Sequence, residues 1–416
     1  MFDHFPRYEQ HHPLIPVWCV TPNEGRTIHR FFDTSPFSPS GRYLAGFRLP
    51  QEERSPAPGE TGEIVLIDLE NGEERVVAST CGWEPQLGAN LQWGADDETM
   101  LFNDVDIASW TPLCVVLNPF AGKRKTFPGG IYKASPDGKR AAHANLTAMR
   151  RTQSGYGVVI PDEQVPRNSG LAENDGLYVL DLETGQDRLL ISIKDCVQRA
   201  NPRSDFNDLI DHEVYGFHCK WNAQGSRLMF SLRAFPASIP RPFNKRTAFD
   251  VYTMDNEARD IRLAIPAREW KKRGHHTNWF PDGESLSMNL DIDEEGVMRF
   301  VQVRFDGSGL RKILEHAIGS GHPTLHPDGR HILTDAYPYE PVAFGDGTVP
   351  LRWIDMKDGT EQTVARMRAE TKESNTNPSL RVDPHPAWDP TYRFIAFNGF
   401  ADGTRRIYVA DMSGML

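Results

Sequence analysis

His276-Thr-Asn-Trp-Phe-Pro-Asp-Gly-Glu-Ser-Leu-Ser-Met-Asn289 contains, in fourteen residues, the unit from which the chain is built. Pro281-Asp-Gly is a turn: proline presets its own φ and glycine takes the positive φ that other residues resist. After the turn, Ser285-Leu-Ser-Met-Asn alternates polar and apolar side chains, the period of a strand. Before it, Thr277-Asn-Trp is a second, shorter strand. The stretch is therefore strand, turn, strand, with a histidine where it begins.

The same unit recurs on both sides. Phe37-Ser-Pro-Ser-Gly leads into Tyr43-Leu-Ala-Gly-Phe, and Trp93-Gly-Ala-Asp-Asp into Met100-Leu-Phe-Asn. Ala134-Ser-Pro-Asp-Gly leads into Arg140-Ala-Ala-His, and Trp221-Asn-Ala-Gln-Gly into Arg227-Leu-Met-Phe-Ser. His326-Pro-Asp-Gly leads into His331-Ile-Leu-Thr, and Trp388-Asp-Pro-Thr into Arg393-Phe-Ile-Ala-Phe. Each is followed by a third apolar run, such as Glu63-Ile-Val-Leu-Ile-Asp or Gly176-Leu-Tyr-Val-Leu-Asp. Seven such units, roughly 40 to 90 residues apart, match or exceed the repeat length of propeller blades.

The expected fold is all-β: a seven-bladed β-propeller forming a single domain over residues 1–416. The last unit supplies only three strands, so Leu14-Ile-Pro-Val-Trp-Cys-Val-Thr21 from the other end is expected to complete it and remove an exposed edge. The pattern is interrupted at about 145–175, read as an extended loop or extra hairpin, and at 192–215, read as short helices around Asp195–Ala200 and Asp205–Asp211. A Pro-rich, basic third insert covers 234–247.

Bulk composition narrows the function. A net charge of −11 argues against a nucleic-acid groove. No run of apolar residues is long enough to span a membrane, and Met1-Phe-Asp-His-Phe-Pro has no signal-peptide core, so a cytoplasmic location is expected, or a periplasmic one if a leader has been removed. The five cysteines show no CxxC spacing, which excludes a zinc ribbon. There is no Gly-x-Ser-x-Gly elbow, no Walker A loop and no dinucleotide fingerprint. Asp291-Ile-Asp-Glu-Glu lacks the spacing of a calcium loop and reads as a solvated turn. Trp93, Trp221, Trp279 and Trp388, just before the turns, read as blade-packing residues.

Counting back equally from each turn gives Thr34, Asn90, Ile131, His218, His276, His322 and His385. On successive innermost strands these positions are expected to circle the propeller axis, so the last four blades would present an arc of histidines. Imidazole is a common metal ligand and the usual general base near neutral pH. Three such groups with open positions hold a divalent ion, and Asp383, two residues before His385, is placed to complete the shell. The competing structural reading has each histidine bonded only to neighbouring strand ends.

The chain resembles the oligogalacturonate lyases, seven-bladed propellers that cleave short pectin fragments. The resemblance is carried by the blade pattern and by His29-Arg30 before Phe31-Phe32, His276-x-x-Trp279 with its turn, His322, Asp383-Pro-His385-Pro, and Phe397 to Met412. It implies His276 as the base, with His218 the runner-up, and His322, His385 and Asp383 as ligands of a divalent metal, Mn2+ first and Ca2+ or Zn2+ as alternatives. In the family a histidine stands where this chain has Asp383, and a glutamine ligand falls near Leu380 or Arg381. The family's catalytic arginine falls near Asp250, where the nearest arginines, Arg246 and Arg241, are the candidates for that role. His29, Arg30, Asn90, Lys245 and Arg381 are candidate substrate contacts.

The implied activity is β-elimination on a small acidic oligosaccharide containing uronate, with Arg241, Lys245 and Arg246 pairing with its carboxylates. The alternative is a non-catalytic platform like the TolB propellers, which share the Pro-Asp-Gly units.

Overall fold

A computed structural model describes residues 2–153, 155–206, 209, 211–237, 248–270 and 272–416. Among them the chain forms seven four-stranded sheets, the seven-bladed β-propeller expected. The first strands of the blades are Thr27–Ile28, Gln92–Trp93, Lys133–Ala134, His212–Trp221, Gly274–Trp279, Thr324–Leu325 and Ala387–Trp388, each at one edge of its sheet. The turn of the repeat joins each to the next strand, and the third apolar run pairs beyond that.

The residues pack as two compact units. The first comprises Met1–Val105, Val115–Thr126 and Ser320–Leu416. In it Val17–Cys19 adds to the strand Thr404–Asp411, with Val17 opposite Ala410 and Cys19 opposite Tyr408, so the two ends of the described chain share one blade as expected. Val17, Leu351, Met367, Ile395, Phe397 and Tyr408 are buried in one apolar cluster around this blade and its neighbour. Trp93 belongs to a second cluster and donates Nε1–H to the Pro36 carbonyl of the preceding blade at 2.8 Å.

The second unit comprises Asp106–Cys114 and Phe127–Gly319. Trp279 repeats the role of Trp93: buried, it donates Nε1–H to the Lys220 carbonyl at 3.0 Å. At these two turns the tryptophan both fills the gap between blades and ties them by a hydrogen bond, as its amphipathic ring allows. Asp291 accepts the backbone amides of Glu295 and Gly296 and so fixes the turn it begins.

The inserts differ in part from expectation. Residues 145–175 hold the helix Leu146–Thr152 rather than a loop or hairpin. Asn145 caps it by accepting the Ala148 amide, and Leu146, Ala148 and Met149 are buried. The polar, glycine-rich sequence that follows masked this short apolar face, although asparagine is a favoured N-cap. The helix expected near Asp195 is present as Ile193–Arg199, capped by Ser192. No helix forms among the described residues of 205–211; the chain there runs into the strand His212–Trp221. Ala234–Pro236 continue the strand Arg227–Pro236, and residues 238–247 of that insert, with Arg241, Lys245 and Arg246, lie outside the described residues.

Candidate metal centre and its surroundings

Three of the anticipated residues meet in the first unit. His322, Asp383 and His385 are buried, and one ligand atom from each lies within 4.8 Å of the others. The imidazoles of His322 and His385 meet edge to face, 4.3 Å between ring centres. Phe31 packs against both, at 5.5 and 4.8 Å, and Phe32 against His322 at 5.2 Å.

Both histidines are oriented by their Nδ1 atoms. His322 Nδ1 lies 2.8 and 3.0 Å from the two oxygens of Asp335. His385 Nδ1 lies 3.2 Å from the Arg30 carbonyl oxygen. A neutral imidazole facing an acceptor through Nδ1 carries its proton there, so in each ring Nε2 keeps its lone pair. His385 Nε2 has no hydrogen-bond partner and lies 3.7 Å from Asp383 Oδ2, while His322 Nε2 is 3.4 Å from the Tyr337 hydroxyl. Burial lowers the basicity of His385 against the pull of Asp383 and Asp335. Two imidazoles fixed through Nδ1 by outer partners, beside a carboxylate, suit a divalent ion.

The backbone contributes as well. His385 has φ 50°, and Asn90, at the equivalent position of the second blade, has φ 53°. Such left-handed residues are uncommon outside glycine, with asparagine and histidine among the tolerated exceptions. Gly321, at φ 62°, precedes His322, and a Cβ there would fall 2.1 Å from the Asp335 carbonyl oxygen. Glycine is what lets His322 approach Asp335 so closely.

The other first-unit candidates surround this centre. Arg381 donates Nε–H to Asp383 Oδ1 at 2.9 Å, with Nη2 2.8 Å from Oδ2, so it screens the carboxylate. Arg30 donates to Asn90 Oδ1 at 3.0 Å and to Asp33 Oδ1 at 3.2 Å. Asn90 in turn donates to the buried Glu84. His29 is buried, its amide held by Asn398, and burial, aided by nearby His385, pushes its imidazole down to about 3.

His218 and His276 lie in the second unit. Each falls where strand pairing slips: between Gly216 and Cys219 in one blade, and between His275 and Asn278 in the next. A bulge re-aims the side chain of its extra residue. His276 has φ 62° and meets His275 edge to face at 4.6 Å. His218 stacks on Phe217 at 4.0 Å. Lys220 ties the two bulged strands, donating to the Thr277 carbonyl at 2.9 Å.

The sequence reading passed over Asp335, Tyr337, Gln86 and Arg233. Asp335 and Tyr337 directly follow the strand His331–Thr334, and a carboxylate straight after Ile-Leu-Thr was the available signal. Gln86 donates to the carbonyls of Ser379 and Arg381 across the fold, a pairing no local pattern announces.

No protein-family model matches the chain. No curated protein sequence matches it. Solved structures do. An oligogalacturonate lyase in complex with manganese superposes with a TM-score of 0.64 at 14% identity, covering 98% of this chain and 96% of the other. The oligogalacturonate lyase of Vibrio parahaemolyticus gives 0.63 at 13%, covering 99% and 97%. The β-propeller domain of the Trilobed protease from Pyrococcus furiosus gives 0.51 at 11%, covering 92% and 96%. At such identities the likeness is one of fold.

Proposed function

We propose that this protein is a metal-assisted lyase that cleaves short uronate-containing oligosaccharides by β-elimination. The observation that carries the reading is the buried trio His322, Asp383 and His385, with both imidazoles turned by outer acceptors so that Nε2 is the basic atom. Support comes also from a fold shared with an oligogalacturonate lyase solved with manganese.

A divalent cation held by these residues, manganese first among the candidates, supplies Lewis-acid neutralisation of the substrate carboxylate as its α-proton becomes acidic. In the reaction, a base takes the C5 proton, the C5–H electron pair becomes the C4=C5 bond, and the C4–O pair leaves with the departing sugar, whose oxygen takes up a proton. His276 is the proposed base and His218 the second choice; a positioned base contributes about 10²–10⁴-fold. The phenyl rings of Phe31 and Phe32 exclude water from the two metal-facing imidazoles. His29, Arg30, Asn90, Lys245 and Arg381 are the proposed substrate contacts, with Arg241 and Arg246 as further partners for uronate carboxylates. A net charge of −11 repels a long polyanion, so a short acidic oligosaccharide fits better than a polymer.

The test is the ultraviolet absorbance of unsaturated uronate, followed on a panel of oligouronates with and without manganese. Metal-dependent absorbance is expected. No signal from any uronate, with manganese shown to be bound, defeats the lyase reading. Protein that binds no manganese, calcium or zinc fits a non-catalytic binding platform instead.

A further inference from the structure

Arg233 lies on the strand Arg227–Pro236, opposite Tyr215 on one side and Phe249 on the other. It is 6% exposed. Its guanidinium carbon is 4.0 Å from the Phe249 ring centre and 4.9 Å from that of Phe217. Nη1 donates to Gln153 Oε1 at 2.7 Å, and Nε has no hydrogen-bond partner. Among the described residues no carboxylate pairs with it. Other arginines of this unit are compensated: Arg151 and Arg167 by Glu213, Arg227 by Asp260.

A buried, ionised group without a counter-charge is costly. Burial pushes the Arg233 guanidinium down to about 9, yet arginine keeps its proton at neutral pH. Tyr156 packs against Phe217 at 5.3 Å and His218 at 6.5 Å, so a phenol and an imidazole border the same cluster. Ring contacts occupy the flat surface of a guanidinium and leave its in-plane N–H groups for hydrogen bonding.

We propose that Arg233, gripped by Phe217 and Phe249 and oriented by Gln153, is a binding site for an organic carboxylate of the kind an acidic sugar carries. A planar, singly charged carboxylate matches the fork of N–H donors and supplies the missing counter-charge. The site stands on its own geometry; only the identity of the sugar rests on the uronate reading.

The experiment uses the full chain, chelator-treated and manganese-loaded, titrated calorimetrically with galacturonate and, as the control without a carboxylate, galactose. Galacturonate is expected to bind both preparations and galactose neither. Arg233→Met should weaken galacturonate binding at least about tenfold, and Arg233→Lys, which keeps the charge but not the fork, should also weaken it. Unliganded Arg233→Met should melt at or above the wild-type temperature, because it removes an uncompensated charge. Galacturonate affinity unchanged in both variants overturns the proposal. So does a melting temperature lowered by several degrees in Arg233→Met, which marks a structural arginine, or binding lost on chelation alone, which places the carboxylate on the metal. Binding without turnover leaves this site standing while the lyase reading fails.

Discussion

His322 gives both its backbone amide and its Nδ1 to one carboxylate, that of Asp335, at 2.7 and 2.8 Å. The other Asp335 oxygen accepts the His385 amide at 3.0 Å. Asp335 therefore sets the tautomer of one proposed ligand and the backbone of the other, from full burial that pushes its own carboxyl up to about 6. Asp335→Asn keeps the volume and removes the charge. Manganese affinity should fall about 10–100-fold, as for other outer-shell partners of metal histidines. Competition titration against a metal-sensitive dye measures it, and unchanged affinity would separate Asp335 from the metal centre.

His385→Ala and Asp383→Ala should each strip manganese, read by elemental analysis after dialysis. His276→Ala should instead abolish turnover with metal content intact. Metal loss from His276→Ala would mean that the base and ligand roles are exchanged.

Acid should destabilise the metal-free fold through its buried histidines. The imidazole of His29 falls from its usual 6.5 to about 3 on folding, and that of His385 is lowered too. A depressed histidine is neutral in the fold, so its contribution is complete above pH 6.5 and is lost as pH falls toward 3. Asp335, raised to about 6, acts in the opposite sense over part of that range. His29→Leu should therefore flatten the fall in melting temperature between those pH values, in protein treated with chelator. Parallel curves for the variant and the wild type would remove His29 as a source of acid lability.

The blade formed from both ends invites a paired test. Val17 is fully buried opposite Ala410, whereas nearby Leu14 is 56% exposed. Val17→Asp buries an unpaired charge and should cost more than about 4 kcal/mol, near the loss of the fold. Leu14→Asp should stay within about 0.5 kcal/mol. Urea unfolding of the two variants checks the contrast; equal losses would deny the seam its stabilising role.

The blade count was legible because the turn residues recur with an alternating strand after them, a local signal repeated seven times. Tryptophans at one register gave the packing between blades for the same reason. The trio of His322, Asp383 and His385 was legible because register in a repeat converts sequence spacing into position. Asp335, Gln86 and Arg233 were not, since their meaning comes from partners distant in sequence: His385 for Asp335, Ser379 for Gln86, Phe217 and Phe249 for Arg233. The helix at Leu146–Thr152 was hidden because two turns of chain give too few apolar positions to show a period.

Asn90, His276 and His385 hold positive φ at one shared step of the repeat. At such a step valine, isoleucine and threonine are barred on steric grounds, while glycine, asparagine, aspartate and histidine pass. Three of those four carry electron-pair donors. Where a blade carries this kink, the side chains that pass are mostly ones able to coordinate or accept a proton, so new chemistry at that step needs only a change of letter within the set, with the scaffold left as it stands.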